Sequence, residues 1–133
     1  MRLEIAAQTD IGRRKKNNED HYGIYREDLP GLRFFTEGAL LVVADGLGGH
    51  VGGEIASKLA VTTLRDMLKE PPPPAEGDAA NDLAKLRKME SWIVRANDNI
   101  YQTNLDLVKS DRPMGTTLLG ALVEQNRALI CNV

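Results

Sequence analysis

VVADGLGGHVGGE, residues 42–54, sets an apolar run, one aspartate and five glycines within thirteen positions. The pattern reads as a strand ending at Asp45, then a loop, then a helix. Glycine-rich strand-to-helix turns commonly hold phosphate on backbone amides, yet a negative side chain stands at the mouth of this one. Two phosphate-loop readings fail on spacing. Gly46, Gly48 and Gly52 make G-x-G-x-x-x-G, one residue longer than the dinucleotide fingerprint. Asp66, at the distance of a ribose-binding acid, falls inside a helical stretch, and no Gly-Lys-Ser/Thr follows the turn. Two readings stay open. Asp45 caps the helix, or it binds a metal that the neighbouring glycines let the backbone approach. A cation there would reverse the local charge, so that a phosphate could sit nearby.

Working outward, ALLVVAD (39–45) is the most strongly buried strand pattern. RLEIAAQTD (2–10) predicts a first strand and HYGIYRE (21–27) a short second one. Between them IGRRKKNNED (11–20) reads as a loop with four consecutive cations, and DLPGLRFFTEG (28–38) is rich in turn residues. Downstream, Ile55, Ala56, Leu59, Ala60, Leu64, Met67 and Leu68 recur at helical spacing, predicting a helix over 50–69. PPPP (71–74) stops it and opens an acidic, alanine-rich linker over 71–81. Leu83, Leu86, Met89, Ile93, Ala96 and Ile100 predict a second helix over 82–109, which SDRPMG (110–115) breaks. TTLLGALVEQNRALICNV (116–133) reads as a hairpin turning at Gln125–Arg127. Strands, two helices, then strands favour an α+β layered architecture. The apolar strand running to Val133 reads as an unfinished layer, the front part of something longer.

The 133 residues fit one domain, and 42% apolar with 27% charged residues is ordinary for a globular protein. With 17 basic and 19 acidic residues the net charge is −2, which supplies no field for nucleic acid or an anionic membrane. Cys131 is the one cysteine, so no internal disulfide forms, and it and Trp92 read as core residues. MRLEIAAQTD lacks the apolar core of a signal peptide, and the expected location is the cytoplasm.

NNED (17–20) adds Glu19 and Asp20 to Asp45, enough carboxylate for a second hard cation. Three segments together, TDIGRRKKNNEDHYGIY (9–25), LLVVADGLGGHVGGEIAS (40–57) and MGTTLLGALVEQNRALICNV (114–133), resemble the metal-dependent protein phosphatase (type 2C) family, above all its bacterial single-domain members. The resemblance implies an α-β-β-α sandwich of two antiparallel sheets flanked by helix pairs, 1–133 being the N-terminal part, with 50–69 and 82–109 as one pair. It implies hydrolysis of phosphoserine and phosphothreonine in proteins by water activated between two Mn²⁺ or Mg²⁺ ions. Asp45 and Asp20 become the catalytic carboxylates, and Asp45, the Gly46 carbonyl, Asp20 and Glu19 the metal ligands. Lys15 occupies the position where the family carries a phosphate-gripping arginine, with Arg14 beside it. Lysine keeps the charge but loses the planar fork. His50 reads as a helix-start residue rather than a general acid. Phosphorylated proteins are the implied substrates and a Ser/Thr kinase the implied counterpart. The family completes its site with two later aspartates, so this chain alone is expected to be inactive and to bind metal weakly. A non-catalytic module that binds phosphoproteins or regulates a partner is the alternative.

Overall fold

Strand β2 (Ala39–Leu47) is the axis on which the other elements are placed. The computed structural model describes residues 2–33, 36–48, 52–71, 81–106 and 113–133. β2 pairs antiparallel with β1 (Asp20–Tyr25) on one side and with β4 (Leu119–Glu124) on the other. β4 turns at Gln125 and Asn126 into β5 (Arg127–Asn132), as the hairpin pattern predicts, with Gln125 at φ 34° in the turn. The order is β1-β2-β4-β5, and a two-residue β3 (Gly115–Thr116) pairs with the far end of β2.

Two strand expectations are corrected. β2 does not end at Asp45 but runs on through Gly46 and Leu47, because β3 offers those residues a ladder. Residues 2–10 form no strand. Leu3 and Ile5 are half-buried and their neighbours exposed, so the period-2 pattern is present. A strand also needs a partner, and this segment has no ladder among the described residues; Arg26 Nη2 donates to the Leu3 carbonyl at 3.1 Å. The turn-rich stretch after β1 contains a one-turn helix, α1 (Pro30–Arg33), which drives Leu32 fully into the core.

Helices α2 (Gly52–Leu68) and α3 (Asp82–Asp106) cover one face of the sheet. Ala56 and Ala60 are small enough for α2 to lie close on β2, and Leu64 and Leu68 fill the space further along. Met89, Trp92 and Ala96 of α3 meet Leu40, Val42 and Leu122 of the sheet in one core. Asn81 caps α3, its Oδ1 accepting the Ala84 N–H at 2.7 Å. The α3 stripe is displaced from the expected one: Leu83 is 58% exposed, while Lys85 is buried in an ion pair with Glu124. Cys131 is half-buried against the core. His50, most of the 71–81 linker and residues 107–109 lie outside the described residues.

The opposite face of the sheet carries Tyr22, Ile24, Val43, Leu119 and Ile130, all exposed. The described residues therefore form one antiparallel sheet under one helical layer, an α+β arrangement. No described helix is long and apolar enough to cross a membrane.

Candidate metal centre

Register creates the centre of the site. Asp20, first in β1, is the Cα partner of Asp45 in β2. Directly opposed residues of an antiparallel pair project to the same face with Cβ atoms about 5 Å apart. The two carboxylates thus share one end of the uncovered sheet face, with their charges close together. Burial, the Asp45 charge and a hydrogen bond with Asp45 push the Asp20 carboxyl above its usual range, against the opposing pull of Lys15. A proton or a cation relieves that crowding.

The backbone on either side is pinned. The Asp45 N–H donates to Thr117 Oγ1 at 3.2 Å, and the Asp45 carbonyl accepts the Thr117 N–H at 2.9 Å. Asn18 Oδ1 accepts the Asp20 N–H at 3.0 Å, and Asn18 Nδ2 donates to Thr9 Oγ1 at 2.9 Å. The Gly46 N–H donates to the Glu19 carbonyl at 3.0 Å. A residue's N–H and C=O leave an antiparallel strand on the same side, so the Gly46 carbonyl is aimed toward the β1 edge. Glycine is required here for space: a Cβ on Gly46 would lie 2.0 Å from the Gly53 carbonyl oxygen.

Glu19 stands differently from the aspartates. Its Oε2 accepts from Lys15 Nζ at 2.7 Å, one turn of loop away. That hydrogen bond and the Glu19 charge raise the Lys15 ammonium above its usual range. Among the described residues no three His, Cys, Asp or Glu side chains converge. Asp20 and Asp45 come together, while Glu19 contributes its carbonyl to the scaffold and its carboxylate to Lys15. A pair of hard oxygen donors with a carbonyl beside them suits Mg²⁺ or Mn²⁺, which keep several waters and need only one or two carboxylates.

The loop from Asp10 to Asn18 folds back over this pair. Gly12, at φ 73°, donates its N–H to Asp10 Oδ1 at 2.7 Å, closing a turn that presents Arg13, Arg14 and Lys15. Together with Asp20 and Asp45 they line a cleft of about 440 Å³. Arg13 and Arg14 are exposed cations above paired carboxylates, an arrangement that can take an anion once a cation lies between. The clamp by Thr117 has no role assigned from sequence. Its signal is the Gly115-Thr116-Thr117 string just ahead of the hairpin.

The profile of the Protein phosphatase 2C family matches residues 15–133. The chain is 30% identical over 129 residues to the serine/threonine phosphatase stp of Listeria innocua, covering 95% of this chain and 45% of that protein. Among solved structures it is similar to a bacterial serine phosphatase variant, with TM-score 0.73 and 29% identity over 95% of this chain and 51% of that one. It is similar also to the catalytic domain of the serine/threonine protein phosphatase PstP in complex with two manganese ions. There the TM-score is 0.65 and the identity 31%, covering 96% of this chain and 46% of that one. The chain spans about half the length of the relatives it matches.

Proposed function

The chain belongs to the Protein phosphatase 2C family, and on that premise we propose that it carries the N-terminal part of the machinery of a metal-dependent protein serine/threonine phosphatase. The observation that bears most weight is the opposed pair Asp20 and Asp45, set face to face by strand register. Asp45, Asp20 and the Gly46 carbonyl hold divalent cations, Mn²⁺ or Mg²⁺, with Glu19 reaching them directly or through water. When bound, two such ions activate water and neutralise phosphoryl oxygens. PstP, the relative solved with two manganese ions, supports that number.

The chain's own residues do the rest. Asp45 sits on a strand locked at both backbone atoms by Thr117, so its carboxylate is held in place before substrate arrives. Arg14 takes the substrate phosphate in our reading, since Lys15 is engaged with Glu19, where the family's arginine position would otherwise grip it. Substrates are phosphorylated proteins, a Ser/Thr kinase is the opposing activity, and the cytoplasm is the site of action. Asp45, Asp20 and the Gly46 carbonyl, even with Glu19 added, are few ligands for two cations. The 133 residues alone are therefore expected to bind metal weakly and to turn over no substrate.

The test is hydrolysis of a phosphothreonine peptide, across a Mn²⁺ titration, by a chain that carries these residues together with the further half spanned by the relatives. Expected are turnover that a chelator abolishes and a loss of at least about 100-fold in Asp45→Asn. Phosphopeptide binding with no Mn²⁺-dependent turnover would replace this reading with that of a non-catalytic module.

A further inference from the structure

His21 follows Asp20 in β1 and so projects from the other face of the sheet, beneath α2. There its Nδ1 lies 2.9 Å from the Oγ of Ser57, which is fully buried on α2. Ser57 Oγ is also 2.5 Å from the Glu19 carbonyl and 3.2 Å from the Glu54 carbonyl. A serine hydroxyl has one proton to give, and both carbonyls can only accept. The proton goes to the nearer one, on Glu19. The hydroxyl must then accept from His21, whose Nδ1 is the protonated ring nitrogen.

The Glu19 carbonyl already accepts the Gly46 N–H. One oxygen thus joins three elements: the entry to β1 one residue before Asp20, β2 one residue after Asp45, and α2. Asp20 and Asp45 project from a sheet whose edge is bolted at this point to the helical layer. We infer that Ser57, oriented by His21, is a positioning residue of the metal centre, holding the two carboxylates at their mutual distance through the Glu19 carbonyl. This rests on the metal reading proposed above. Neither side chain touches the carboxylates, so the effect travels through backbone alone.

The experiment compares wild type and Ser57→Ala, as expressed from the gene, by Mn²⁺ calorimetry and by thermal unfolding in chelator. Loss of an outer partner of a metal site commonly weakens affinity 10–100-fold. Ser57→Ala is expected to weaken Mn²⁺ binding by about 10-fold, to speed exchange of the Gly46 amide, and to leave the metal-free midpoint nearly in place. A lowered midpoint with unchanged Mn²⁺ affinity makes Ser57 a packing residue and overturns the inference. Wild type that binds no Mn²⁺ overturns the metal reading itself, and this one with it. His21→Asn offers an amide donor near the place of Nδ1, and His21→Leu offers none. Should Ser57→Ala not fold, retained affinity in the first and lost affinity in the second carries the inference, and equal affinity in both overturns it.

Discussion

On the metal reading proposed above, Asp20 is a burden to the metal-free fold and an asset to the loaded one. Its folded pKa is raised above the ordinary 3.8, first by burial and then by the Asp45 charge. A carboxyl whose folded pKa exceeds its unfolded value holds its proton more tightly when folded. Ionising it therefore costs stability above the raised value, and that cost vanishes below 3.8, where both states are protonated. Asp20→Asn imitates the protonated form. In chelator at neutral pH this variant is expected to melt higher than wild type, and the gap to close as pH falls through the raised value towards 3.8. With saturating Mn²⁺ the order is expected to reverse, because a charged carboxylate holds the cation more tightly than the neutral amide oxygen that replaces it. A pH series of melting curves with and without metal checks this. A lower metal-free midpoint for Asp20→Asn would show that Asp45 does not crowd its partner.

At the scale of elements, the far end of the sheet is tied to α3 by charge. Lys85 pairs with Glu124, side chains 8% and 11% exposed, and Arg127 bonds both Glu124, at 3.1 Å, and Asp82, at 2.9 Å. Burial works to raise the Glu124 pKa, but hydrogen bonds from Lys85, Thr36 and Arg127 outweigh it and hold the carboxyl below 4.5. A depressed pKa contributes stability above the ordinary value, lost as pH falls through the folded one. Lys85→Met should cost about 1–3 kcal/mol at neutral pH, short of a fully orphaned buried charge because Arg127 and Thr36 remain. Urea unfolding measures it, and the difference from wild type should shrink below pH 4.5. This pair also marks where sequence reading stops. β2, α2 and the β4–β5 hairpin are legible because each carries its own period and punctuation. Residues 2–10 show the period of a strand without becoming one, since pairing belongs to two segments and periodicity to one. Lys85 looks like a surface lysine until the hairpin brings Glu124 beneath it. In the site, Asp45 stands out in its glycine turn and Glu19–Asp20 in their loop. The opposition of Asp20 to Asp45 and the Thr117 clamp depend on register across 25 and 72 residues, which no local pattern encodes.

For the molecule as a whole, the uncovered sheet face and the proposed metal centre are one surface. Register lines up Tyr22, Val43 and Leu119 across three strands, with Ile24, Leu41, Ala121 and Ile130 in the next row. Asp20 and Asp45 share the face and end it. Val43 and Ile130 are 54% and 61% exposed, and a contiguous apolar patch of this kind marks a surface built to be covered. The two-sheet sandwich implied by the family resemblance would cover it with a second sheet, whose strand ends would then arrive beside the carboxylates. That arrangement makes opposite demands on one substitution in two contexts. In the 133-residue chain, Val43→Thr changes an exposed position and should alter stability by less than about 0.5 kcal/mol, while reducing self-association seen by sedimentation. In a longer chain that supplies the second sheet, the same hydroxyl is buried among apolar side chains and should cost about 1–3 kcal/mol. Equal effects in both would mean that the face stays open to solvent. A cation held by the carboxylates would then have to draw its remaining ligands from some other direction.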